Sequence, residues 1–124
     1  VIEIPHDYKE GTDLTFHVHF GINDAPSGTD NVKWALIYTV ARAGETLADA
    51  TTIYKETAID TQYESYRSDF TAITGTSFKI GDQFLFTITR ITADGDAFGG
   101  EALVHTLGFH YVSNTLGSAE IATK

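Results

Sequence analysis

In the segment "FHVHF", Phe16 to Phe20, two histidines stand two residues apart between large apolar side chains. On a β-strand such residues project from one side, so His17 and His19 could offer two imidazoles to a single metal ion. Two ligands do not complete a zinc site, which takes four in a structural centre or three plus a water. The chain has no cysteine and no HExxH helix to supply the others. Missing ligands would have to come from copies around a symmetry axis. The expectation is therefore no metal within one subunit, with His17 and His19 facing solvent or an interface.

The remaining histidines give no stronger constellation. In "ALVHTLGFHYV", His105 and His110 have opposite parity and should face different sides of a sheet unless a bulge intervenes. His105 shares its parity with Leu103, Leu107, Phe109 and Tyr111, so it is expected as a hydrogen-bonded core or interface residue. "ADGDAFGGE" carries Asp94, Asp96 and Glu101 on a glycine-rich loop of calcium-like composition. Phe98 stands there where an oxygen ligand is required, which leaves a turn.

Hydrolytic chemistry finds no anchor. Glu56, Asp60, Glu64 and Asp69 suggest no favoured carboxylate pair, "PSGT" and "LGSA" do not fit the GxSxG nucleophile elbow, and no phosphate-cradling glycine loop is present. No catalytic residue and no cofactor is assigned, and the chain is expected not to be an enzyme. Tyr54, Tyr63 and Tyr66 are candidates for stacking on a sugar ring or on another subunit, beside the alternative of ordinary cross-strand packing.

These side chains ride on segments whose dominant period is two. Leu14, Phe16, Val18, Phe20 and Ile22 alternate with polar residues and glycine, which places both histidines of "FHVHF" on an outer face. Val32, Trp34, Leu36, Tyr38 and Val40 share a face opposite Lys33, Ala35, Ile37, Thr39 and Ala41. "ATTIYKETAI" reads as an edge strand, "YESYRSDFTAI" alternates Tyr66, Ser68 and Phe70 against Arg67, Asp69 and Thr71, and "QFLFTITRIT" sets Phe84, Phe86 and Ile88 on one side. "VIEIP" reads as an opening strand. Turn-rich separators such as "NDAPSGTDN", "ITGTS" and "KIGD" divide these runs, and "AGETLADA" could form a single helical turn. The pattern predicts an all-β fold, an antiparallel β-sandwich of about seven or eight strands. The sandwich should span residues 1–112, with 113–124 as a C-terminal arm whose Leu116 and Ile121 need a surface to cover them.

Composition narrows the partners. The chain has 124 residues, enough for one core, and a net charge of −9 with its eight basic residues scattered. A phosphate backbone or an anionic membrane surface attracts a concentrated basic patch, so neither nucleic acid nor membrane is expected. No apolar run approaches the roughly 20 residues of a membrane helix. The chain begins at Val1 and contains no methionine, which suggests a processed product or part of something longer.

The order "IPHDYKEGTDLTFHVHF", "NVKWALIYTVARAGETL", "GDQFLFTITR", "GDAF" and "LGFHYVSNTLGS" resembles a β-sandwich domain of tailed-phage virion proteins and their environmental relatives, over nearly the whole chain. The resemblance implies a jelly-roll-like fold and a structural, non-enzymatic role in a virus particle, as a capsid decoration (cement) protein or a fibre-tip domain, often trimeric. The implied partners are two further copies and other capsid or tail proteins, with a host surface glycan as an additional candidate, and the implied location is the virion. His-x-His strands around a threefold axis are similar to the iron-binding motif of trimeric phage tail tips. Related sequences often carry a third histidine or a proline where this chain has Thr15 and Val18. The alternative function is a carbohydrate-binding β-sandwich using exposed aromatics, which predicts a monomer.

Overall fold

A computed structural model describes residues 1–114. Seven strands occur among the described residues: β1 (Ile2–Glu3), β2 (Thr15–Ile22), β3 (Asn31–Ala41), β4 (Thr51–Ala58), β5 (Ser65–Asp69), β6 (Gln83–Ile91) and β7 (Ala102–His110). They form two antiparallel sheets, β1-β6-β3-β4 and β5-β2-β7. Every connection except the β3–β4 hairpin crosses from one sheet to the other, in the manner of a jelly roll, so neighbours in sequence face each other across the core. The alternating apolar positions read from the sequence are the ones buried: Phe16, Val18, Phe20 and Ile22 of β2 meet Val32, Trp34 and Leu36 of β3 and Phe84 of β6.

Aromatic stacking ties the layers together. Phe84 lies 4.3 Å from Phe16, nearly parallel to it, and 5.0 Å from Tyr38. Phe20 is flanked by Trp34 at 5.4 Å and Tyr66 at 5.6 Å. Such offset contacts add to the burial of the rings themselves. Trp34 Nε1 is the one buried side-chain donor without a protein partner among the described residues.

Three polar fastenings hold the ends. Asp82, only 2% exposed, accepts from Arg42 Nε and Nη2 at 2.9 and 2.7 Å and from the Lys79 amide at 2.8 Å, the pairing that a buried carboxylate requires. Arg90 donates to the carbonyls of Phe98 and Gly100 and lies over the Phe98 ring. Phe98 is buried, so the calcium-like loop closes one end of the sandwich instead of ringing an ion; within it, Asp94 accepts from Lys33 Nζ at 2.8 Å. At the other end Asp7 accepts from Tyr111 and Ser113, and these two hydrogen bonds hold its carboxyl below the usual range.

Local expectations differ from the structure in three places. "AGETLADA" forms no helical turn, because a lone turn without a packed face does not repay its nucleation. The only helical turn among the described residues is a 3-10 turn at Gly75–Ser77, in "ITGTS". The opening strand is confined to Ile2 and Glu3. Most of the expected C-terminal arm, with Leu116 and Ile121, lies outside the described residues; Ser113 bridges to Tyr8, and the Asn114 amide donates to the Asp7 carbonyl at 2.6 Å.

Candidate functional site

The outer face of the β5-β2-β7 sheet concentrates the titratable chemistry. Register sets its rows: Asp69, His17 and Gly108 lie side by side, as do Arg67, His19 and Thr106, while Thr15 sits opposite His110. The outward placement of His17 and His19 follows from the period of β2 and agrees with the sequence expectation. The structure adds what no single strand reveals: His110 of β7 approaches His17 to 5.0 Å between ring centres, beside His19 at 4.9 Å.

His105 corrects an expectation. The β2–β7 register shifts between His19 and Phe20, so Thr106 faces His19 and Val104 faces Phe20, leaving His105 as the extra residue of a bulge. Its ring is thrown onto the outer face above Gly21, where an added Cβ would meet it at 3.0 Å. It is exposed and carries no side-chain hydrogen bond among the described residues, so of the expected core or interface position the core is excluded.

His17 is the buried member of the group. Its imidazole lies over Gly108, where any side chain would collide with Nε2 at 2.5 Å, and the residue is only 9% exposed although it points outward. Among the described residues, His6 is the one histidine whose side chain is hydrogen-bonded, to Glu3. Burial pushes the His17 pKa down, the charges of His19, His110 and Arg67 push it the same way, and Asp69 opposes them.

A proton is therefore bound more weakly to His17 in the folded chain than in the unfolded one. Folding stability is complete above the ordinary imidazole value of about 6.5 and is lost as pH falls below it toward the depressed folded value. Urea unfolding at pH 7.5 and 5.5 should show this loss in the wild type and a smaller loss in His17→Gln. Equal losses in both chains would remove His17 as the cause.

Beside His17 opens a cleft of about 210 Å³, lined by Thr15, Phe16, His17, Arg67, Asp69, Phe70 and His110. Arg67 and Asp69 have the same parity on β5, and their side chains pair at 2.9 Å through Nε and 3.1 Å through Nη2. This leaves the guanidinium Nη1 uncommitted.

The tyrosines do not form one platform. Tyr54 is 53% exposed on the outer face of the larger sheet, with Lys33 Nζ 5.3 Å from its ring centre. Tyr63, 75% exposed with φ of 65°, caps the β4–β5 connection. Tyr66 turns inward onto Phe20, and its hydroxyl accepts from the amides of Asp60 and Thr61. Burial pushes the Tyr66 pKa up.

A second surface is defined by what it lacks. On the outer face of the larger sheet, register aligns Leu85 with Thr39, Thr87 with Ile37 and Thr52, and Thr89 with Ala35 and Tyr54. No charged residue stands in these rows, although the chain carries −9 overall. Ile37 is 36% exposed there, and a shallow groove runs over Ile37, Thr39, Leu85 and Thr87. Lys33 and Glu56 bound the patch at one end, and Glu3 and Gln83 at the other. Comparison with protein-family models, with curated proteins and with solved structures gives no significant match.

Proposed function

We propose that this chain is a non-enzymatic structural domain of a phage-like particle, a capsid decoration protein or fibre tip, that assembles as a homotrimer in the virion. The observation that carries the reading is the uncharged face of the larger sheet. A chain of net charge −9 repels its own copies, so self-association favours a surface where like charges do not meet. The Leu85, Thr87, Thr89, Ala35, Ile37, Thr39, Thr52 and Tyr54 patch is such a surface, with Ile37 in its central row, Tyr54 at the edge strand, and Lys33, Glu56 and Glu3 beyond its ends. The segment order that resembles phage virion domains supports the particle as the setting.

Light scattering after size exclusion tests it. The wild type should run at three times the 13.5 kDa chain mass. Ile37→Lys adds a charge to an already exposed position, so the fold should persist and the trimer should dissociate. A wild-type monomer overturns self-association, and an intact Ile37→Lys trimer overturns this face as the contact. A carbohydrate-binding reading is favoured by one observation, the exposed Tyr54 ring on an open sheet face. A monomer that loses glycan-array binding on Tyr54→Ala would replace the structural reading with that one.

A further inference from the structure

We propose that the cleft between β2, β5 and β7 binds a carboxylate-bearing sugar unit, a uronate, with Arg67, His17 and His110 receiving the carboxylate and Asp69 and Thr15 the hydroxyls. The site lies on the sheet opposite the uncharged face, and its occupancy does not depend on the trimer.

The donor set argues for a single negative charge. Arg67 keeps Nη1 free while its other edge holds Asp69, and a guanidinium binds carboxylates through planar paired donors. His17 and His110 bring imidazole nitrogens that no described protein group occupies. His17 is more than nine-tenths buried and its uncommitted ring lines the cleft. Its nitrogens keep an edge open to the cleft, so a ligand there can supply the partner that no described protein group does.

Asp69 decides against two other occupants. Beside the bound anion it repels a doubly charged phosphate more than a monoanionic carboxylate, yet it can accept from sugar hydroxyls. A divalent cation would meet Arg67, and His19 and His110 lie to opposite sides of His17, one beside Thr106 and the other beside Thr15. Among the described residues no three His, Asp or Glu side chains are placed to hold a metal ion. Phe16 and Phe70, both buried in the core, form the floor of the cleft, so a sugar ring there is held by the polar groups of its walls. Its volume of about 210 Å³ falls below the roughly 300–1,000 Å³ of drug-sized pockets and suits one sugar ring.

The charged and titratable groups around the site are His17 and His19 on β2, Arg67 and Asp69 on β5, and His110 on β7, with His105 farther along the same face. Burial holds the His17 proton weakly in the free chain, and an anion beside the ring favours the protonated form, so binding should strengthen as pH falls from 7.5 to 5.5. The limit is about tenfold per pH unit for each proton taken up.

Titration of the isotope-labelled, untagged chain with glucuronate, followed by NMR, tests the proposal, with glucose and acetate as comparison ligands. Glucuronate should shift the His17, Arg67 and His110 signals saturably, with a dissociation constant of about 1 mM, as suits a ligand of about a dozen heavy atoms. Glucose and acetate should each bind at least about tenfold more weakly, since each makes only part of the contacts. Arg67→Gln, an exposed substitution that leaves the fold intact, should weaken glucuronate at least about tenfold, and His110→Gln several-fold. Absence of saturable shifts overturns the site. Equal binding of glucose removes the carboxylate from the proposal, equal binding of acetate removes the sugar, and an unaffected Arg67→Gln removes the anion contact. Light scattering of Arg67→Gln should still give the wild-type mass, so failure here is distinguishable from failure of the trimer.

Discussion

Phe84→Ala is expected to destabilise the domain by about 3–5 kcal/mol, the usual cost of emptying a large buried aromatic site. Phe84 is fully buried and stands at the meeting point of Phe16, Tyr38, Phe78 and Phe86, at ring separations of 4.3, 5.0, 6.1 and 5.7 Å. Truncation removes the transfer free energy of the ring and leaves a cavity that both sheets border. Rigid β-strands, held in register on either side, collapse into such a space only partly. A domain of this size has about 5–15 kcal/mol of total stability, so the loss is a large share and should lower the melting temperature by about 10–20 °C. Phe84→Leu keeps most of the volume and should cost less than about 2 kcal/mol. Thermal and urea unfolding of the two variants measure this directly. A loss below about 1 kcal/mol for the alanine variant would falsify the view that Phe84 is the keystone between the sheets. The ring also backs Phe16, so the same substitution should loosen the inner face of the strand whose outer face carries His17 and His19.

The two faces of β2 were legible in its sequence, because a strand's period of two separates Phe16, Val18 and Phe20 from His17 and His19 without reference to any other strand. The same holds for Val32, Trp34 and Leu36 in β3 and for Phe84 in β6. What local alternation cannot contain is the register between strands far apart in the chain. His110 joins His17 only because Thr15 pairs with His110 and Gly108 falls beneath the His17 ring. Asp69 and Arg67 enter the site through the pairing of β5 with β2, and in the sequence they were ordinary polar positions of an exposed face. The bulge at His105 left no mark that parity could read, since one unpaired residue inverts every assignment beyond it. One signal was available: Arg67 and Asp69, two apart on a strand, must share a face and can pair, which their side chains do. The uncharged outer face of the larger sheet was partly visible in Ala35, Ile37 and Ala41. Its full extent required the alignment of β3 with β4 and β6.

Gly75→Ala should be the most damaging of the single-methyl additions, at about 3 kcal/mol or more, above the usual 1–3 kcal/mol of overpacking. An alanine Cβ at this position would stand 2.5 Å from the carbonyl carbons of Gly11 and Thr12 and from the Thr12 oxygen, all of them backbone atoms that no rotamer change can move. The two segments are fastened there by reciprocal hydrogen bonds between Leu14 and Ile73, at 3.1 and 2.8 Å, and by the Gly75 amide donating to Asp13 Oδ1 at 2.9 Å. Relief of the clash therefore breaks bonds that close one end of the sandwich. Gly11 makes the contrasting case: its φ of +89° strains an alanine by about 1–2 kcal/mol, but nothing lies within 4 Å of the added methyl. Unfolding titrations should thus rank Gly75→Ala well below Gly11→Ala in stability, although a turn-forming glycine is the simpler reading of both in sequence. Hydrogen exchange locates the damage, with the Leu14 and Ile73 amides expected to lose protection first in Gly75→Ala. Similar stability for the two variants would show that the entry loop moves freely against the 3-10 turn. The Lys9 amide donates to the Val112 carbonyl, and Asp7 holds Tyr111 and Ser113, so that freedom would extend to the end of the described chain.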